Sequence, residues 1–250
     1  MADINGRTAL VTGASRGIGR AIAVRLAAAG AYTVLHYGSG RADAEQTLDL
    51  VRKAGGDGIV VGAGLETLAG IDALAAALPD LLGGRGLDVL VNNAGVGAPG
   101  TVEDTDEATF DRLFAVDVKA PFFVTQRILP QVNDGGRIIN ISSMVALAAH
   151  PYAAAYSAAK GALNAMTVSI AAGLGARGIT VNAVAPGATA TDFIGALLDD
   201  PAIRSDLEQK SVFGRIGQPE DIAGVVAFLA SPEAGWVTGQ VIAASGGAYL

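Results

Sequence analysis

Residues 12–19 read TGASRGIG, a glycine-rich stretch between a strand-like and a helical pattern. An apolar run at residues 8–11, typical of a buried strand, leads into it, and a helical pattern begins at Gly17. Glycines permit a tight turn and let backbone N–H groups approach a pyrophosphate, which the positive end of the following helix also favours. The spacing is Gly-x3-Gly-x-Gly, not the common Gly-x-Gly-x2-Gly, so an ordinary strand-to-helix turn is the alternative. The position between the first strand and the first helix favours a dinucleotide site.

The rest of the chain repeats this alternation of short strand-like runs and longer helical patterns. Strands are predicted at residues 8–11, 32–37, 58–61, 87–91, 136–141, 180–185 and 240–243, and helices at 17–29, 41–54, 67–82, 106–131, 153–176 and 219–230. The strands are rich in Val, Ile and Leu, as expected for strands buried on both faces. The pattern predicts an α/β fold, a doubly wound parallel sheet of about seven strands with helices on both faces (Rossmann-like). No linker or repeat interrupts it, which predicts a single domain over residues 1–250.

Composition argues against several classes of protein. The 250 residues are 51% hydrophobic and 16% charged, and no apolar run is long enough to span a bilayer, so no membrane contact is expected. The net charge of −7 argues against binding to nucleic acid. The chain has no cysteine and two histidines, which removes disulfides and thiolate nucleophiles and disfavours zinc, so no metal is expected. We expect a soluble, cytoplasmic protein.

The helix predicted at residues 153–176 is apolar or small almost all round. A helix of this kind must be covered on two sides. The sheet can cover one side, and a second subunit is the simplest cover for the other, which favours a homo-oligomer. Burial under an internal loop such as residues 189–212 is the alternative.

The residues after the second strand indicate which dinucleotide is bound. An NAD site usually has an acidic residue there to hold the ribose 2′-hydroxyl. Residues 35–41 read LHYGSGR, with no acid before Asp43. Ser39 and Arg41 can donate hydrogen bonds to a 2′-phosphate, and Arg16 on the glycine loop can approach the same group. These residues favour NADP(H) over NAD(H), and the alternative is that both arginines are ordinary surface cations.

Polar residues also follow later strands, at the edge where open α/β sheets bind ligands. Residues 92–95 read NNAG, Ser143 follows the fifth strand, and Tyr156 and Lys160 share one face of the next helix. A free phenol has a pKa near 10, and a neighbouring ammonium lowers it. The hydroxyl of Ser143 can then hydrogen-bond a substrate oxygen beside the phenol. A lone Tyr-x3-Lys pair is usually a solvated helix face, but its combination with the glycine loop favours catalysis.

In their order and joint occurrence these motifs resemble the short-chain dehydrogenase/reductase family, from Thr8 to Gly247, and its 3-oxoacyl-carrier-protein reductase and ketone reductase members in particular. Residues 186–191 and 214–221 also match the family. The resemblance implies a tetramer, with the tyrosine as general acid/base, the serine positioning the substrate oxygen and the lysine binding the nicotinamide ribose. It assigns catalysis to Ser143, Tyr156, Lys160 and Asp117, and cofactor binding to Gly13, Ser15, Arg16, Gly17, Ile18, Gly19, Tyr37, Ser39, Arg41, Leu65, Asn92, Ala94, Gly95, Tyr156, Lys160, Pro186, Gly187, Thr189 and Thr191.

The chain departs from the family pattern at three points. Asp117 stands where the family commonly has an Asn, which is thought to shape its helix and to hold a water of the proton relay. If the backbone carbonyl holds that water, Asp117 costs little; if the side chain matters, Asp117 pairs with Lys160 and changes the pKa of the tyrosine. Gly64 replaces an Asp that often contacts adenine, and residues 244–247 lack an acid frequent there.

These residues predict an NADP(H)-dependent oxidoreductase that interconverts a carbonyl and a secondary alcohol, with Tyr156 moving the proton. The first rival is a catalytically weak NADP(H)-binding sensor or scaffold of the same fold. The second, a Ser-His-acid hydrolase, lacks a Gly-x-Ser-x-Gly elbow. The substrate, a small-molecule carbonyl or alcohol, stays open between 3-oxoacyl thioesters and simple ketones. Its pocket is expected to include Val96, Met144, His150, Tyr152 and a substrate loop at residues 188–212.

Overall fold

The computed structural model describes residues 4–248, so both ends of the predicted domain, residues 1–3 and 249–250, lie outside the described residues. The described part contains one parallel sheet in the order β3-β2-β1-β4-β5-β6-β7. The strands are β1 (Thr8–Val11), β2 (Tyr32–Tyr37), β3 (Asp57–Gly62), β4 (Leu87–Asn92), β5 (Val132–Ile141), β6 (Thr180–Pro186) and β7 (Val241–Ala244). The predicted fold class is confirmed.

Helices cover both faces of this sheet. They are α1 (Gly17–Ala28), α2 (Arg41–Lys53), α3 (Leu68–Leu81), α4 (Glu107–Phe114), α5 (Ala120–Ile128), α6 (Ala154–Leu174), α7 (Asp192–Leu198), α8 (Pro201–Lys210) and α9 (Pro219–Ala230). Helices α1, α2 and α9 bury their apolar sides in one core cluster, and α3, α5 and α6 do so in another. Because side chains alternate along a strand, Ala9 and Val11 of β1 enter the first cluster and Leu10 enters the second. No helix within residues 4–248 is both long and apolar enough to cross a bilayer.

The strand order sets the position of the ligand crevice. Strand β1 pairs with β2 on one side and with β4 on the other, so the connections leave β1 and β4 in opposite directions. The carboxyl ends of the strands open into a crevice at such a reversal. The residue pair Val11 and Val91 marks this point, directly before the glycine loop and the NNAG loop.

The helix predicted at residues 106–131 is present, but it is not one regular α-helix. A π-helical turn, Ala115–Lys119, separates α4 from α5, and a short 3-10 turn, Leu129–Gln131, follows α5. Pro121 lies in the first turn of α5. Because proline has no N–H, it cannot donate a hydrogen bond to the preceding turn. The helical stretch thus has the extent that the sequence predicted, with Asp106 as its N-cap, but it contains a π-helical turn that was not predicted, and Asp117 lies in that turn.

The segment at residues 188–212, expected as a loop, contains α7 and α8. Asp200 caps α8 by accepting a hydrogen bond from the N–H of Ala202 at 2.8 Å, and Pro201 occupies the first helical position. Asp followed by Pro is a recognised start signal for a helix. The prediction missed it because this stretch lacks an apolar face with helical period.

Helix α6 is covered on one side only within the described residues. Its buried residues are Ala159, Lys160, Leu163, Thr167 and Ala171. The opposite side remains exposed, and Val168 there keeps 52% of its surface accessible. An internal loop thus does not cover this face.

Candidate active site

One cavity of about 820 Å³ runs along the carboxyl edge of the sheet, from the end of β2 to the start of α6. It is lined by the residues of both predicted ends of the site. The predicted residues that line it are Gly13, Ser15, Arg16, Gly17, Ile18, Gly19, Ser39, Leu65, Ala94, Gly95, Ser143, Tyr156, Lys160, Pro186, Gly187, Thr189 and Thr191.

The glycine loop is shaped by close approach of backbone to backbone. Gly13 has a φ of +64°, a conformation that side chains rarely adopt. A Cβ on Gly19 would collide with the carbonyl oxygen of Gly13. Asn93 holds the loop from the far side, since its Nδ2 donates to the oxygens of Thr12 at 2.9 Å and Gly13 at 3.0 Å. The prediction named Asn92 instead, although both residues belong to the same motif.

His36 is a second support of the glycine loop that sequence analysis did not find. It is buried at the end of β2, where its Nδ1 accepts a hydrogen bond from the N–H of Gly13 at 3.2 Å. Its Nε2 therefore carries the hydrogen and donates to the oxygen of Ala63 at 3.0 Å. Burial lowers the pKa of His36 to about 4, while the hydrogen bond to Ala63 acts weakly in the other direction. The imidazole is neutral at pH 7 and joins β2, β3 and the loop.

The geometry at the start of α1 fits the pyrophosphate of a dinucleotide. Arg16 stands at the N-cap position with extended backbone, and its side chain makes no capping hydrogen bond. The first N–H groups of α1 thus lack a side-chain acceptor, which is the arrangement that binds phosphate at helix N-termini. Thr191 closes the opposite wall, with its Cγ2 3.2 Å from the position of a Cβ on Gly17.

At the adenosine end the predicted residues divide into two groups. Arg16 and Ser39 line the cavity, and so does Asp43, whose carboxylate lies beside Gly40. Arg41 does not line it, because its Nε bonds Glu45 Oε1 at 2.9 Å on the surface of α2.

Tyr37 and Asn92 also lie away from the cavity lining. The ring of Tyr37 packs on Gly62, where a Cβ would come within 2.8 Å of Tyr37 Cζ. The Asn92 amide is buried and donates to Asn140 Oδ1 at 2.9 Å and to Thr125 Oγ1 at 3.1 Å. Both side chains therefore contact the protein itself rather than the crevice.

Ser143, Tyr156 and Lys160 come together at the other end of the cavity. Ser143 follows β5 and caps a short 3-10 turn, Met144–Ala146, by accepting from the N–H of Val145 at 3.3 Å. Its hydroxyl lies near enough to the phenol of Tyr156 to lower the pKa of that phenol. Lys160, one helical turn after Tyr156 and buried, donates to the carbonyl of Ile141 at 3.0 Å. The Nζ of Lys160 is 5.7 Å from the centre of the Tyr156 ring.

Asp117 lies directly behind this cluster. The π-helical turn directs its fully buried side chain toward Lys160, and Oδ1 is 2.8 Å from Nζ. Oδ2 accepts from the N–H of Val96 at 3.2 Å. A Cβ on Gly95 would come within 2.7 Å of Oδ1, so this loop can approach only because residue 95 is glycine. A buried ion pair thus joins α6 to the helix that carries Asp117.

Four effects act on the acidity of Tyr156. Burial raises the pKa of the phenol most strongly, the Lys160 ammonium lowers it, Asp117 raises it, and the Ser143 hydroxyl lowers it; the net pKa is raised. For Lys160, burial has the opposite effect and lowers the pKa. The negative charges of the phenolate and of Asp117 outweigh burial, so the net pKa of Lys160 is raised. The ammonium lowers the pKa of the phenol, as the sequence predicted, but burial and Asp117 exceed its effect.

Beyond the glycine loop, the cavity is lined by both apolar and polar side chains. Of the pocket residues predicted from sequence, Val96, Met144 and His150 line it, whereas Tyr152 is largely exposed outside it. Phe193 also lines it and belongs to the predicted substrate loop at residues 188–212, although this part of the segment forms helix α7.

Proteins of known activity share this chain's sequence and fold along nearly its whole length. A family model described as enoyl-(acyl carrier protein) reductase matches residues 13–249. The chain is 45% identical to the promiscuous reductase LugOII, which catalyses keto-reduction at C1 during lugdunomycin biosynthesis, with a TM-score of 0.95 and 100% of each chain covered. It is 47% identical to the angucycline C-6 ketoreductase LanV with bound NADP, with a TM-score of 0.93 over 99% of this chain and 97% of the other. It is 38% identical to the 3-oxoacyl-[acyl-carrier-protein] reductase FabG of Staphylococcus aureus, over 98% of each chain.

Proposed function

The chain belongs to the short-chain dehydrogenase/reductase family and is an oxidoreductase of the ketoreductase type, and on this premise we propose that it reduces a ketone to a secondary alcohol with Tyr156 as the proton donor. The observation that carries the proposal is that Ser143, Tyr156 and Lys160 line the same cavity as the glycine loop, with the Nζ of Lys160 5.7 Å from the centre of the Tyr156 ring. NADP(H), which the relative LanV binds, would supply or accept the hydride at the carbonyl carbon.

Each residue of the cluster has a separate task in the proposed reaction. Tyr156 gives its proton to the substrate oxygen, and its raised pKa keeps that proton in place at neutral pH until the oxygen becomes basic. Ser143 holds the same oxygen by a second hydrogen bond. Lys160 steadies the resulting phenolate, and Asp117 holds Lys160 and offsets part of its charge. Reduction leaves a phenolate that takes up a proton from solvent before the next turnover.

We further propose that NADP(H) is preferred to NAD(H). Support comes from Arg16, which lines the cavity beside Ser15 and Ser39 near the expected position of the 2′-phosphate. The guanidinium of Arg16 is 3.8 Å from Asp192, an exposed contact that is worth little and that a phosphate can replace. Asp43 lies in the same wall and opposes the preference, so Arg16 must outweigh it.

The homo-oligomer, a tetramer by family resemblance, and the cytoplasmic location stay predictions. The exposed outer face of α6 supports the first, because Val168 lies there and Met166 lines an apolar groove with Phe122 and Phe123 of α5. Apolar surface of this kind is commonly buried between subunits.

The Tyr156→Phe variant tests the proposed chemistry. General acid catalysis contributes about 10²–10⁴-fold, so we expect ketone reduction to fall by at least about 10²-fold. The affinity for NADPH, measured by fluorescence titration, should stay within about twofold, because the phenyl ring keeps its packing and its burial. Turnover that survives in this variant would contradict the assignment. Tight NADPH binding by the unaltered protein without turnover of any ketone would favour the sensor alternative instead.

A further inference from the structure

The ring of Phe193 lies across the substrate end of the cavity and touches both of its walls. Phe193 is in the first turn of α7, and its ring centre is 6.1 Å from that of Tyr156, at an interplanar angle of 43°. On the opposite wall, a Cβ on Gly97 would collide with Phe193 Cζ and lie 2.9 Å from both Cε atoms. The tip of the ring therefore rests on the backbone of Gly97, in the space that a side chain would fill.

This aromatic residue is poorly covered by the protein itself. Phe193 keeps 57% of its surface exposed, and Leu197, one turn later on α7, keeps 45%. Of the described residues of α7 and α8, only Leu198 is buried. The segment is anchored at its start, where Ala190 donates to Gly217 O at 2.8 Å, but further on few buried contacts hold it. A segment of this kind can shift at low cost, so the ring can move off Gly97.

The surroundings of Phe193 favour one substrate shape. Val96, Met144 and Leu197 supply apolar surface to the cavity lining, which also contains the polar side chain of His150. A flat aromatic ketone with its carbonyl at Tyr156 extends past the phenol toward Phe193. Aromatic rings attract one another in offset-stacked or tilted arrangements beyond the effect of area alone. A flexible aliphatic chain covers less of the ring and loses more freedom when it is ordered.

We propose that Phe193 determines substrate specificity by stacking on the ring system of a planar aromatic ketone whose carbonyl lies at Tyr156. This inference rests on the proposed ketone reduction and adds the substrate class and the residue that selects it. Gly97 contributes by leaving the space in which the ring of Phe193 rests.

The first experiment compares two ketones with the Phe193→Ala variant. We expect kcat/KM for tetralone, a flat bicyclic ketone, to fall about tenfold, mostly through KM, because stacking and buried area are lost. The value for ethyl acetoacetate, which is small and flexible, should change less than about threefold. Phe193→Leu should give an intermediate loss for tetralone. The control is Phe213→Ala, since Phe213 is more exposed than Phe193 and lies outside the cavity lining.

The second experiment moves the ring without removing it. In Gly97→Ala the new methyl displaces the tip of Phe193, so we expect the same loss of preference for tetralone over acetoacetate. Because both changes act through one ring, Gly97→Ala should have no further effect in the Phe193→Ala background. Gly195→Ala is the matched control, since Gly195 lies on the same helix and a Cβ there meets open space.

Any one of four results would contradict the inference. An equal fall for both ketones would make Phe193 a structural cover, and a rise for tetralone would make it an obstruction. If the effects of Gly97→Ala and Phe193→Ala on the preference for tetralone add in the double variant, Gly97 does not act through the ring of Phe193. If the unaltered protein reduces no ketone, the proposed function fails, and stacking is measured by binding alone. A dihydroxyanthraquinone titrated by its absorbance in the presence of NADP⁺ should then bind about tenfold more weakly to Phe193→Ala, and equal binding would refute the stacking.

Discussion

The two ends of the cavity are built in different ways. At the nucleotide end, backbone groups define the surface, and buried His36 and half-buried Asn93 hold the glycine loop from both sides. At the substrate end, side chains define it, and the helix that carries Phe193 has little buried contact with the rest of the protein. A ligand that does not vary can be bound by rigid backbone, whereas a varied one is selected by exposed side chains on a loosely packed segment.

The sharpest contrast comes from adding one methyl group at each end. In Gly19→Ala the methyl collides with the oxygen of Gly13, so we expect NADPH binding to be lost and the free energy of unfolding to fall by about 3 kcal/mol. In Gly195→Ala the methyl meets open space in a helix, so stability should rise by up to about 1 kcal/mol. Urea unfolding measures the stability of the two variants, and titration with NADPH measures their affinity for the nucleotide. Equal behaviour of the two variants would show that the ends do not differ in rigidity.

Between the two ends, Asp117→Asn leaves the charge of Lys160 buried without its partner. Breaking a buried pair costs about 3 kcal/mol or more, which thermal unfolding would detect. Since Asp117 raises the pKa of Tyr156, its removal lowers that pKa, and the protonated phenol is lost at lower pH. The pH at which kcat for reduction begins to decline should therefore move to a lower value. The exposed Asp49→Asn on α2 is the control, and a pH profile like that of the unaltered protein would contradict the role of Asp117.

Acid should lower the free energy of unfolding through His36, which lies at the nucleotide end. The pKa of His36 is lowered to about 4 in the folded chain, below its ordinary value near 6.5. The unfolded chain therefore binds this proton first, and the contribution of neutral His36, about 3 kcal/mol at full size, is present above pH 6.5 and is lost as the pH falls toward 4. Urea unfolding between pH 7 and pH 4 should be less steep with pH in His36→Gln. The same pH dependence in both proteins would show that His36 is not responsible.

The smallest expected effect concerns the two arginines at the adenosine end. Arg16→Ala should weaken NADPH binding by about tenfold and leave NADH binding nearly unchanged, because it removes a charged donor to the 2′-phosphate alone. Arg41→Ala should have little effect, since its guanidinium bonds Glu45 on the surface of α2. Titration with both nucleotides measures the ratio. If Arg41→Ala instead matches Arg16→Ala, then Arg41 leaves Glu45 when the nucleotide binds.

Several features could be read from local sequence because they depend on neighbours in the chain. The seven strands were predicted to within a few residues, although β5 begins earlier, at Val132. Tyr156 and Lys160 share a face because they are one helical turn apart, and the family and its enzyme class followed from the order of the motifs. The π-helical turn was missed because nothing in a regular helical pattern marks one extra residue per turn.

Local sequence was enough to predict the doubly wound sheet, the glycine loop and the placement of Tyr156 one helical turn before Lys160, since strand periodicity, glycine conformation and helical spacing act over a few residues. The support of that loop by His36, the pairing of Asp117 with Lys160 and the contact of Phe193 with Gly97 depend instead on tertiary packing. Each of these contacts joins residues far apart in the chain. Their distances depend on how whole helices pack on the sheet, and local pattern carries no record of that packing.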